Sequence, residues 1–163
     1  MARRTAAGGD PVAQQRDAGS ASRRMGIMSN IDHTGDAPPA VRKTVLVVDD
    51  NPMALLFFAL VLRRAGYHVI EAHSSHDAQR IANDGHHIDL LLTDFQMPEM
   101  NGLELAIWLR ETHPKIPVLV VTGSPKLAFS NGKFHRSFVC REKTWLPKEL
   151  TDTVAGMFAA NAE

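Results

Sequence analysis

The sequence predicts an α/β domain: a parallel sheet covered on both faces by helices. Short runs rich in β-branched residues and Leu, at 44–48, 68–72, 88–93, 118–121 and 137–140, alternate with segments of helical period. Such alternation implies crossover connections and therefore parallel strand pairing. The runs at 45–48 and 118–121 are continuously apolar, as strands buried on both faces read. Acids close two of these runs, Asp49 and Asp50 after the first and Asp94 after the third. In a parallel sheet all three emerge at one carboxyl edge, where open α/β sheets keep their sites.

Each element has its own warrant. Val45–Val48 is the first strand. Pro52 suits the first turn of a helix, Leu55, Leu56, Ala59, Leu60 and Leu62 keep a 3.6-residue period, and Gly66 stops it. A second strand follows at 68–72, then a helix capped by Ser74 or Ser75 that runs to about Asn83 and ends at Asp84-Gly85. The third strand is expected at 88–93, with a loop through Met97-Pro98-Glu99-Met100-Asn101-Gly102 behind it. Leu103, Ala106, Ile107, Leu109 and Arg110 mark a helix that ends before Pro114, and Pro117 leads into the fourth strand at 118–121. Between Ser124 and Arg136 the helical pattern is interrupted by Ser130-Asn131-Gly132. A short fifth strand at 137–140 and a last helix from Pro147 through Phe158 complete the order.

Residues 1 to 42 differ: they are rich in Ala, Gly, Ser, Asp, Arg and Pro, with no sustained apolar period. Such a stretch buries too little surface to offset chain entropy, so a disordered tail is expected, with the globular domain at 43–160.

Bulk properties exclude several classes. The 163 residues carry 18 basic and 18 acidic side chains, without the basic excess of a nucleic-acid or membrane-surface binder. The one cysteine, Cys140, rules out an internal disulfide framework and a cysteine-rich zinc site. The longest apolar stretch, Ala54 to Leu62, is too short to span a bilayer. The expected setting is the cytoplasm. His86-His87 and the His73, His76 pair have ligand-like spacings, but no third ligand follows at a recognisable spacing.

The ordered motifs Val47-Val48-Asp49-Asp50-Asn51, Asp94 with Met97-Pro98-Glu99-Met100-Asn101-Gly102, Val121-Thr122-Gly123, and Lys143 carry a resemblance. Over about 43–160 the chain resembles the receiver domain of bacterial two-component response regulators, of the single-domain, chemotaxis-regulator kind. The gaps agree: 44 residues from Asp50 to Asp94, 28 on to Thr122, and 21 on to Lys143, the last about one residue short.

The resemblance implies a flavodoxin-like doubly wound sheet of order 2-1-3-4-5. It implies that Asp94 is the phosphoacceptor, attacking a phosphohistidine donor to form an acyl phosphate. It implies Mg²⁺ held by Asp50, Asp94 and the backbone carbonyl of Gln96, with Asp49 acting through water. Thr122 would bond a phosphoryl oxygen and Lys143 would pair with another. It also implies a signalling module rather than an enzyme. Its partners would be a sensor histidine kinase or histidine phosphotransfer protein and a downstream protein, with no direct contact to DNA or membrane. The chemistry suits these residue types, because phosphoryl transfer needs positioning and charge neutralisation, which Mg²⁺ and a lysine supply.

Three departures stand out. Thr144 follows Lys143 where the family carries proline, usually after a cis bond that threonine would rarely sustain, which would alter the lysine's approach. Cys140 stands where the family carries Tyr or Phe. The stretch between Ser124 and Arg136 is a weakened helix. These favour an alternative, a pseudo-receiver that binds a partner without a phosphorylation-driven switch. A phosphatase-like enzyme with Asp94 as nucleophile would need a separate general acid and a substrate cap, and neither is recognisable. The 20 residues after Lys143 suffice for one helix, so the signal is expected to leave by protein–protein contact or phosphorelay.

Overall fold

The computed structural model describes residues 42–124, 138–144 and 146–161. The expected tail, nearly all of the interrupted stretch after Ser124, and Trp145 lie outside the described residues. Five strands are present: β1 (Thr44–Val48), β2 (His68–Ala72), β3 (Leu90–Asp94), β4 (Val118–Thr122) and β5 (Phe138–Glu142). The described helices are α1 (Pro52–Arg64), α2 (Ser75–Asn83), α3 (Gly102–Thr112) and α4 (Pro147–Ala160). All pairings are parallel, in the order β2-β1-β3-β4-β5, the flavodoxin-like arrangement that the resemblance implied.

Every residue of β1, β3 and β4 is buried, which explains their unbroken apolar character. Alternate side chains feed two cores. Val45, Val47, Leu90 and Leu92 meet Leu55, Phe58 and Leu62 of α1 and Leu150 and Val154 of α4. Leu46, Val48, Leu91 and Val120 meet Ala78 and Ile81 of α2 and Leu103, Ala106 and Leu109 of α3 on the opposite face. Trp108 and Cys140 pack against this second core.

Several element boundaries differ from the sequence reading by a residue or two, and two of them matter for the site. β3 starts at Leu90, not Ile88, because the Asp89 carboxylate leaves the ladder. It accepts from the Thr44 backbone N–H at 2.8 Å and pairs with Lys43 at 2.9 Å. β5 runs on to Glu142, which brings Lys143 one step past its end.

Register then positions the site. Val48 lies opposite both Ala72 and Thr93, and Asp94 lies opposite Val121. Asp49, one residue past β1, is therefore lateral to the end of β3. Thr122 lies opposite Glu142, and the Lys143 N–H donates to the Thr122 carbonyl at 2.9 Å. Four distant stretches of chain thus end side by side.

Gly102 shows how tightly the edge is built. A Cβ added there would stand 2.0 Å from the Asp94 carbonyl oxygen and 2.9 Å from Thr93 Oγ1. No rotamer relieves a clash with backbone. Gly102→Ala is expected to lower stability by about 2–3 kcal/mol, the cost of overpacking, read as a reduced urea midpoint.

Candidate metal and phosphoacceptor site

Asp49, Asp50 and Asp94 each offer a carboxylate oxygen, and these oxygens lie within 4.8 Å of one another. Asp49 is fully buried, Asp94 is 5 % exposed, and Asp50 faces solvent. Asp49 is fixed from behind by Asn51, whose backbone N–H donates to Asp49 Oδ1 at 3.0 Å. The Asn51 side chain caps α1, accepting from the N–H groups of Met53 (2.9 Å) and Ala54 (3.3 Å). One asparagine thereby ties the helix start to the orientation of a buried acid. The Asn-Pro pair is the sequence signal for that cap.

Lys143 enters from β5. Its ammonium is 2.8 Å from Asp49 Oδ2 and 3.1 Å from Asp94 Oδ2. Thr144 in place of proline does not keep the lysine from the acids. The Asp49 contact is one of charge, since Oδ2 lacks a donor in hydrogen-bond geometry. Thr122 is fully buried and its Oγ1 accepts from the Ser124 N–H at 3.0 Å, so its hydroxyl proton remains available to a ligand. Gln96 is exposed and lies two residues past Asp94.

The charges do not balance evenly. Burial pushes the Asp94 pKa up; Lys143 opposes this, and the neighbouring Asp49 adds to it. Burial works against the Lys143 ammonium, yet its 2.8 Å contact with Asp49 and the Asp94 charge hold its pKa above the ordinary lysine value. The asymmetry has a simple cause: one ammonium faces two carboxylates, while each carboxylate has half an ammonium. The contribution of Asp94 to stability is therefore fully present below the unfolded carboxylate value, near pH 4, and is lost as pH rises through the raised value. The Lys143 contribution is present at neutral pH and is lost only in strong alkali.

Three carboxylates against one ammonium leave two negative charges. A divalent cation balances them, and the donor set is hard oxygen, as Mg²⁺ prefers. The buried Asp49 Oδ2, short of a directional donor, is where such a site retains unsatisfied capacity. The residues fit the ion.

The model of the response regulator receiver domain matches residues 45–133. The chain belongs to this family. Receiver domains generally bind Mg²⁺ at an acidic pocket and take phosphoryl groups from kinases or phosphotransfer proteins. Among curated relatives, the polar-differentiation response regulator DivK of Brucella ovis is 38% identical over 83 residues, spanning 50% of this chain and 67% of that protein. DivK of Brucella anthropi is 35% identical over the same length. Among solved structures, a response regulator receiver protein from Sinorhizobium medicae superposes with a TM-score of 0.69 at 25% identity, covering 74% of this chain and 98% of that one. The chemotaxis protein CheY4 of Vibrio cholerae shares the fold, with a TM-score of 0.63 at 24% identity over 71% of this chain and 98% of its own.

Every site residue named from the sequence lies at this edge. Two contributions escaped sequence reading: the Asn51 tie to Asp49, and the close approach of Gly102 to the Asp94 carbonyl. Both residues belong to the motifs, but their contacts depend on strand register.

Proposed function

We propose that residues 43–160 form a phosphorylatable receiver. Asp94 takes a phosphoryl group from a sensor histidine kinase or histidine phosphotransfer protein, and the signal leaves by contact with a downstream protein or by onward relay. The observation that carries this reading is Lys143 bridging Asp49 and Asp94 inside the acid trio, with Thr122 adjacent in register. A chain using these acids merely as strand-end caps would not bury a lysine among them.

In this reading an Asp94 carboxylate oxygen forms the bond to phosphorus, while the donor's N–P bond breaks and its electron pair stays on the histidine nitrogen. Thr122 donates its hydroxyl proton to one phosphoryl oxygen, and Lys143 turns from Asp94 to another. Asp49, Asp50 and the Gln96 carbonyl, together with Asp94, would hold Mg²⁺. That ion, when bound, neutralises charge on the transferring group. Burial of Asp94 strips water from the nucleophile.

The donor must approach Asp94, and α1 begins beside it. Met53 (71 % exposed), Leu56, Phe57 and Leu60 present apolar side chains to solvent along this helix. They continue into a groove of about 500 Å³ against Pro147 and Lys148 of α4. We assign this face to the donor protein. Leu60→Asp, at a half-exposed position inside α1, is expected to lower stability by about 1 kcal/mol, from lost helix propensity and apolar burial. It should slow transfer from a phosphorylated protein donor at least tenfold and leave labelling by acetyl phosphate unchanged, as followed by radiolabel transfer. The proposed place of action is the cytoplasm, without direct DNA or membrane contact. No described helix is long and apolar enough to cross a membrane.

One observation favours a second reading, a pseudo-receiver that binds without switching: Cys140, in β5, packs half-buried against the core as a small residue, its thiol pKa raised by burial. Thermal melts with Mg²⁺ and beryllofluoride, a phosphoryl mimic, separate the two. The phosphorylatable receiver gains stability with Mg²⁺ and more with both. A melting temperature unmoved by either supports the pseudo-receiver.

A further inference from the structure

Ser75 is a buried polar side chain that the acid site leaves unexplained. It opens α2 and is 2 % exposed. Capping is not its task, since Ser74 is the N-cap and accepts from the Asp77 N–H at 3.0 Å. The Ser75 hydroxyl instead donates across 25 positions of sequence to the Met100 carbonyl, at 2.9 Å. One turn later, Gln79 Nε2 lies 3.7 Å from the Met100 sulfur. Both contacts grip the loop between β3 and α3.

That loop needs an outside hold. Glu99, just before Met100, has φ of 67°, a left-handed conformation that Gly and Asn accept far more readily than Glu. Its internal ties are the Met100 N–H to the Pro98 carbonyl at 2.7 Å and the Gly102 N–H to the Phe95 carbonyl at 3.1 Å. The first of these closes a three-residue turn centred on Glu99. Two residues past Met100, Gly102 abuts the Asp94 carbonyl, so a shift of Met100 is passed to the backbone that carries the acid.

We propose that Ser75 is a positioning residue for the acid site: by holding the Met100 carbonyl it keeps the strained loop in the shape that seats Gly102 against the Asp94 carbonyl. The role rests on the phosphoacceptor reading above.

The test measures Mg²⁺ affinity by calorimetry and acetyl phosphate labelling by intact mass in the full chain, for wild type, Ser75→Ala, Ser75→Thr, Glu99→Asn and Ser75→Ala/Glu99→Asn. Ser75→Ala is expected to bind Mg²⁺ about fivefold more weakly and to label correspondingly more slowly, the factor to which one net hydrogen bond converts. Ser75→Thr, which keeps the hydroxyl, should stay near wild type. In the double variant most of the loss should return, because Asn holds the loop shape without the tie. Wild-type Mg²⁺ affinity in Ser75→Ala would overturn the proposal. So would a loss that Glu99→Asn leaves in place and that merely follows a fall in urea midpoint, since that marks a structural serine. A wild type that binds no Mg²⁺ and takes no phosphoryl group overturns the phosphoacceptor reading itself, and the wild-type arm reports that separately.

Discussion

Asp94→Asn is expected to abolish phosphoryl acceptance and, at the same time, to make the protein harder to unfold. The first effect is chemical, since an amide oxygen does not form an acyl phosphate under these conditions. The second follows from the charge count. Asp94 is nearly buried, stands next to Asp49, and shares a single ammonium with it. Its raised pKa means that the fold disfavours its charge at neutral pH. Removing that charge leaves Lys143 and Asp49 as a matched pair. Intact mass after acetyl phosphate treatment should show no phosphoryl gain, and the urea midpoint in EDTA should rise. A midpoint that falls would mean that Lys143 fully compensates both acids. The opposed signs distinguish a functional acid from a structural one, because stability given up at a site is recovered when its chemistry is deleted.

Lys143→Ala is expected to cost about 3 kcal/mol in EDTA, near the lower end for breaking a buried ion pair. The lower end applies because the lysine side chain is 24 % exposed and water can partly replace it, while Asp49, at 0 %, is left with no cation. Mg²⁺ should reverse the loss. It takes over the neutralising role without competition from the ammonium, so the variant should bind it more tightly than wild type. At a hundredfold excess over its dissociation constant, the ion contributes about 2.7 kcal/mol of stability. Urea unfolding of wild type and variant, each in EDTA and in saturating Mg²⁺, checks this. Equal losses in both conditions would separate Lys143 from the metal site. Labelling by acetyl phosphate should slow in the variant even with Mg²⁺ present, because one phosphoryl oxygen then lacks its cation.

The parts of this molecule that were legible in sequence are those set by local pattern. Val45–Val48 and Val118–Val121 read as buried strands because both faces of the sheet are covered. Pro52 and Gly66 bracket α1 as their backbone preferences require, and Gly66 does adopt a positive φ of 93°. The acids were legible because they end strands. Contacts set by register were less so. The start of β3 was misplaced because Ile88-Asp89 continues the apolar run, whereas the Asp89 side chain binds the start of β1. Lys143 reaches the acids only because β5 pairs with β4 in a register that puts Glu142 beside Thr122. Composition alone could not separate it from Lys133 or Lys148. Ser75 read as one of two interchangeable caps, and its bond to Met100 spans a separation that no local pattern reports.

The central claim, that this edge is a Mg²⁺-dependent phosphoacceptor, is tested most directly by mass spectrometry of the wild-type chain after incubation with acetyl phosphate, with Mg²⁺ or with EDTA. The predicted result is a gain of one phosphoryl group with Mg²⁺, mapped to Asp94 by fragmentation, and none with EDTA. No gain in Mg²⁺, or a gain mapped to another residue, would contradict it.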